Sequence, residues 1–133
     1  MSTFVRFETP YHCESSRQPL GIFWAAATIE ERADLPKWAR EWLLNRGYWF
    51  GAHLPVPRLA NFDQRAIFWF RPQSKIVREM WHLVSVLKEE GVAVALRWTR
   101  SSGRIVYDDS LQIAAVPFTR GRRDRRRRLP QLV

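Results

Sequence analysis

Hydrophobic and polar positions alternate from the first residues of the chain. "TFVRFE" sets aromatic and β-branched residues against polar ones at every second place, so residues 3–8 are predicted to form a strand ended by Pro10. "YHCESSRQP" follows as a polar loop. The period then lengthens. In "LGIFWAAATIEER" the residues Leu20, Phe23, Trp24 and Ala27 share one side of a helix, and Gly21 lies near its start, where it costs little. A second helix is entered through Asp34 as a cap and Pro36 in the first turn, where a missing amide hydrogen matters least. Its apolar side collects Leu35, Trp38, Ala39, Trp42, Leu43, Trp49 and Phe50, and Gly51 is expected to stop it. "HLPVPR", with prolines at alternate positions, is an extended connector.

"DQRAIFWF" is predicted to be a short helix capped by Asp63 and cut off by Pro72. The clearest helical period comes next. Ser74 caps a stripe of Ile76, Val77, Met80, Leu83, Val84 and Leu87, and Gly91 supplies a left-handed stop. Alternation then returns in "VAVALRWT", with Val92, Val94, Leu96 and Trp98 on one face and Ala93, Ala95, Arg97 and Thr99 on the other. "RSSGR" turns, "RIVY" runs back, "DDS" turns again and "LQIAAVPF" is the last strand. A strand, then helices, then three strands joined by short turns predicts an α+β fold. It would hold a small antiparallel sheet, one strand N-terminal and three C-terminal, with three to four helices packed on one face. No internal repeat is visible.

Two segments carry a resemblance. "REMWHLVSVLKEEGVAVALRWTRSSGRIVYDDSLQIAAV" resembles the C-terminal half of a family of small uncharacterised bacterial proteins: a helix with an internal Met-Trp, a glycine stop, a strand, a Gly turn and a Tyr-acid-acid hairpin. "WAREWLLNRGYWFGAHLPVP" is similar to that family's aromatic helix and Pro-x-Pro connector. The resemblance spans roughly residues 3–118 and implies the domain's extent, with no assigned function. The arginine-rich end departs from the pattern.

Length and hydrophobic content, 133 residues and 46%, suit one domain over residues 1–118 followed by a tail, 119–133. The first ten residues lack the apolar stretch of a signal peptide, and no window reaches eighteen apolar residues. A cytoplasmic protein with no membrane partner is therefore expected. Cys13 is the sole cysteine, which excludes an internal disulfide framework and a multi-cysteine zinc site.

Charge is unevenly placed. The chain carries +9, but seven arginines against Asp124 put +6 of it between Arg120 and Arg128. The remaining 15 basic and 12 acidic residues leave a body of only +3, little more than solubility asks. Arg120, Arg122, Arg123, Arg125, Arg126, Arg127 and Arg128 form a run that pairs with phosphate oxygens, releases counterions and reads no bases. Like charges and few apolar residues make disorder the expectation for this tail.

The remaining chemistry is sparse. His12 and Cys13 are neighbours, yet a thiolate needs a base whose ring nitrogen faces the sulfur, which sequence neighbours rarely achieve. His53 and His82 are the other bases that could approach it. Asp108 and Asp109 could bind a cation or work as acid and base, but adjacent acids in a hairpin usually point apart and serve the turn. There is no phosphate-binding loop, dinucleotide fingerprint or HExxH helix. No catalytic residue, metal site or cofactor is assigned.

Aromatic residues offer more. Trp38, Trp42, Trp49 and Trp98 lie on apolar faces and are expected in the core. "YWF" and "FWF" cannot turn three consecutive helical side chains inward, because neighbours differ by about 100°. Arg46, Tyr48, Phe50, Arg58, Arg65, Phe68, Phe70 and Arg71 therefore make the candidate interaction surface, with the composition of a protein interface. The expected function is a non-enzymatic accessory protein that engages a protein partner there, with non-specific DNA or RNA contact through the tail. A dedicated nucleic-acid-binding protein using body and tail together is the alternative, and a small enzyme the third.

Overall fold

The computed structural model describes residues 2–14, 17–55 and 65–118. The expectations for the arginine run, for Arg58 and for the Asp63 cap lie outside the described residues. Nine elements follow in order: β1 (Phe4–His12), β2 (Pro19–Gly21), α1 (Ile22–Glu30), α2 (Lys37–His53), β3 (Ile67–Phe70), α3 (Lys75–Glu89), β4 (Ala95–Thr99), β5 (Arg104–Asp108) and β6 (Gln112–Val116). The fold is α+β, as the element pattern predicted: three helices against an antiparallel sheet of six strands among the described residues.

The third helix forms as its period dictates. Ser74 Oγ accepts from the Val77 amide, all six stripe residues are buried, and Gly91 turns the chain at φ +86°. The other helices differ in detail. Helix α2 starts at Lys37 behind Pro36 with no side-chain cap, because Asp34 instead accepts from Arg32 Nε at 3.1 Å. It also runs two residues past Gly51, to His53. Helix α1 buries Ile22, Ala25 and Ile29, while Phe23, Trp24 and Ala27 of the predicted face are exposed. Its nine residues are apolar nearly all round, so periodicity could not set its phase.

Two corrections concern strands. "IFWF" forms β3 and not a helix, pairing with β6 from Ile67↔Ala115 to Phe70↔Gln112. Four aromatic and β-branched residues suit a pleated ladder, and tertiary pairing decides between states that so short a run leaves open. Strand β1 passes through Pro10 to His12, with Pro10 in the stretch where its register against β2 shifts. An irregular margin is where a strand tolerates a residue with no amide hydrogen. The C-terminal strands do not form a meander. Strand β4 pairs with β1 from Phe4↔Thr99 to Glu8↔Ala95, whereas β5 pairs only with β6.

The resulting order places β4 on one side of β1 and both β3 and β2, end to end, on the other. Val5 pairs with Phe70, and β1 next meets β2 at Glu8↔Gly21, so the sheet forks between them. Strands β4 and β5 are thus opposite margins, yet only residues 100–103 connect them. In a flat sheet Thr99 and Arg104 would be about 25 Å apart, counting four strand spacings and five residue rises. Five links reach at most about 18 Å. The sheet is therefore strongly twisted and coiled.

Residues on one face of the sheet, Val5, Phe7 and Phe70, join the helices' buried side chains in the main core. Phe4, Ile113 and Ala115 form a second small cluster with Trp69. Strand β6 is buried along its whole length.

Candidate functional site

Strand alternation sends Arg6 and Glu8 to the same side of β1, opposite Val5 and Phe7. Where the sheet forks, Arg6 enters the gap. Its Nη1 donates to the Phe68 carbonyl at 3.1 Å, Nη2 to the Pro19 carbonyl at 2.7 Å, and Nε to Glu8 Oε2 at 3.1 Å. One guanidinium thus ties β3 to β2 between the Val5↔Phe70 and Glu8↔Gly21 pairs of the two ladders. The Arg6 and Glu8 side chains are each 12% exposed, and Arg97 Nε donates to the second Glu8 oxygen at 3.2 Å. Burial pushes the Arg6 pKa down, and the Glu8 carboxylate works against that shift. Two guanidiniums around one carboxylate leave one unit of positive charge.

A cleft of about 260 Å³ opens beside this gap. Phe7, Ile22, Phe23, Trp24, Phe68 and Met80 give it apolar walls, and Arg6 is its only charged lining residue among those described. Gln112, also lining it and 2% exposed, is held by donating to the Pro55 carbonyl at 2.6 Å and toward Asp109 Oδ2 at 3.4 Å.

Asp109 is a turn residue. Its carboxylate accepts from Tyr107 OH (2.6 Å), Leu111 N (2.7 Å) and Gln112 N (2.9 Å). Burial alone would raise its pKa, but these hydrogen bonds outweigh burial and hold it below the ordinary value. The same bond is the main reason the Tyr107 pKa is raised. Asp108 turns elsewhere, to Arg71 Nη2 at 2.6 Å. The two acids therefore serve separate partners. Among the described residues no group of three His, Cys, Asp or Glu side chains could hold a metal ion.

The histidine–cysteine expectation meets equally local geometry. The Cys13 amide donates to the Gln18 carbonyl, and its own carbonyl accepts from Arg17, closing a turn. His53 stacks on Trp49 and engages that residue's carbonyl through Nδ1, and His82 Nδ1 lies 3.3 Å from Glu79.

The predicted aromatic–arginine residues divide among several places. Phe50 and Phe70 are core, and Phe68 is half-buried against it. Arg71 sits over the Phe4 ring as well as bonding Asp108, and Arg65 precedes β3. Arg46 and Tyr48 are on α2, whose surface is richer than the sequence suggested. Spacings of four, three and four residues align Trp42, Arg46, Trp49 and His53 along one flank. The Arg46 guanidinium lies 5.6 Å and 6.0 Å from the Trp42 and Trp49 ring centres, and Lys75 Nζ is 5.8 Å from Trp49. Glu79 of α3 pairs with Arg46 and fixes it there. On the outer side of α2, Trp38 and Tyr48 are 56% and 76% exposed, and Leu44 is exposed as well. Trp38, expected in the core, is therefore at the surface, as is Trp98 at the sheet margin.

The sequence reading missed Arg6, Glu8, Arg97 and Gln112. Only one signal pointed to them: Arg6 and Glu8 share a strand face at i, i+2, which otherwise reads as a solvated side.

No protein-family model matches the chain, and comparisons with curated proteins and with solved structures find no match. They leave the resemblance to small bacterial proteins untouched. Among the described residues no helix is long and apolar enough to cross a membrane.

Proposed function

We propose that this chain is a non-enzymatic binding protein that docks a protein partner on the outer side of α2, while the run from Arg120 to Arg128 holds a polyanion nearby. The observation that carries the reading is the exposure of Trp38, Leu44 and Tyr48 along one side of a helix whose flank is a fixed Trp–Arg–Trp ladder. Tryptophan, tyrosine and arginine on a rigid element are the residues that dominate binding energy in protein interfaces. A phosphate-binding role for the same helix is less favoured, because Arg46 is already committed to Glu79 and would have to leave it.

A photo-crosslinking residue at position 48, with position 88 as an exposed control, tests this on the full chain in cells. The expected result is an adduct with another protein from position 48 alone, surviving nuclease treatment and removal of everything after Thr119. That truncation should also abolish salt-sensitive binding to DNA and RNA. An adduct that vanishes with nuclease, or a truncated chain that binds nucleic acid with an unchanged salt slope, would overturn the reading.

A further inference from the structure

We infer that the cleft at the sheet fork is a binding site for a small amphipathic carboxylate, with Arg6 as the recognising cation. This is independent of the docking surface on α2.

Size comes first. A water molecule's share of liquid volume is about 30 Å³, so the cleft has room for roughly nine non-hydrogen atoms. An eight-carbon acid is of that size, and the open side of the cleft leaves room for its head group. Wall chemistry comes second. Phe7, Phe23, Trp24, Phe68, Phe70 and Met80 offer rings and a thioether, which favour an aliphatic or aromatic body.

Charge selects the head group. No acidic residue lines the cleft among those described; Glu8, the carboxylate that pairs with Arg6, lines a different hollow together with the exposed Arg97, so Arg6 is the only charge at the cleft wall among the described residues. Arg6 has five N–H donors, of which three are directed at Phe68, Pro19 and Glu8 among the described residues. The two others belong to its Nη atoms, the end of the side chain that presents a planar fork to a carboxylate. An ammonium or a neutral head group gains no such pair. Gly21 borders the same spot: a Cβ placed there would sit 3.6 Å from Arg6 Nη2, so no side chain stands between the guanidinium and the α1 side of the cleft.

The test uses the full chain with octanoate, octan-1-ol and octylamine as probes, followed by NMR. Octanoate should shift the Trp24 indole and Met80 methyl signals saturably and bind about tenfold or more tighter than octan-1-ol, with octylamine weakest. Gly21→Val removes no partner of Arg6 and adds a branch beside Nη2 without a left-handed backbone, so it should weaken octanoate at least tenfold while the chain's unfolding midpoint in urea shows that the fork still forms. Arg6→Lys keeps the charge but loses the fork, and should narrow the gap between octanoate and octan-1-ol. Equal binding of the acid and the alcohol would reduce the cleft to an apolar hollow and overturn the inference. So would signals moving away from Trp24 and Met80, or no saturable shift at millimolar octanoate.

Discussion

The sheet fork and the outer side of α2 are built from the same materials, arginine among aromatic rings, yet water separates their roles. At the fork, Arg6 is almost fully enclosed and directs three donors to fixed acceptors. On α2, Arg46 is about one-third exposed, held by Glu79 and lying over two indoles. A charge taken out of water must be satisfied or it costs several kcal/mol, so the Arg6 geometry is bound up with the stability of the sheet. A surface pair gains little, so residues around Arg46 are free to differ without unfolding anything. The comparison predicts that the fork is expensive to alter and that the α2 surface is not.

The largest effect should come from Arg6→Met. It leaves Glu8 partly buried with Arg97 alone and takes the Arg6 donors away from the Phe68 and Pro19 carbonyls, so urea unfolding should show a loss of about 3–5 kcal/mol. Adding Glu8→Gln should recover part of that loss, because the orphaned charge disappears. A double-mutant cycle with no coupling between positions 6 and 8 would show that the Glu8 ion pair contributes nothing and that Arg6 acts through its carbonyl bonds and packing.

Next in size is Asp109→Ala, which removes the acceptor for Tyr107, Leu111 and Gln112 and loosens the side chain of Gln112 in the cleft. A cost of about 1–2 kcal/mol is expected. Because the Asp109 pKa is lowered in the folded chain, its contribution is fully present above the unfolded value, near 4, and is lost as pH falls through the folded value. The wild-type chain and the variant should therefore differ by a constant amount from neutral pH down to about 5 and converge in stronger acid. A difference that persists unchanged below the folded pKa would remove the carboxylate from the account.

These two sites also mark how far the sequence could be read. Helix α3 was legible in full, since Ser74, six stripe residues and Gly91 agree on one answer. The β5–β6 turn was legible too, because Asp-rich turns bond their own backbone. Strand β3 was not: four residues are too few for a period, and its pairing with β6 joins segments more than forty residues apart. The fork was invisible for the same reason. Arg6 has the alternation of a solvated residue, and only the end-to-end placement of β2 and β3 turns it inward. Trp38 misled in the opposite sense: its size and its helical spacing from Trp42 and Trp49 suggested core, but it lies about 100° or more around α2 from the buried Ala39, Leu43 and Phe50.

Arg46→Met is smaller again. It removes one partly exposed ion pair and two cation–π contacts, worth about 1 kcal/mol together in thermal unfolding, and high salt should shrink the difference.

The smallest effect on stability, and the sharpest test of the contrast, is the pair Trp38→Ala and Tyr48→Ala. Both side chains are more than half exposed, so each substitution should change the unfolding free energy by no more than about 0.5 kcal/mol. Helix propensity even favours alanine slightly at both places. If folding is indifferent to them, any loss of crosslinking to a partner in these variants belongs to contact and not to a damaged fold. That inference has a built-in control in Arg6→Met, which should reduce crosslinking only to the extent that it unfolds the chain. Should Trp38→Ala instead cost more than about 2 kcal/mol, Trp38 would be a packing residue. The docking surface would then shrink to Leu44 and Tyr48, too little to anchor a protein by itself.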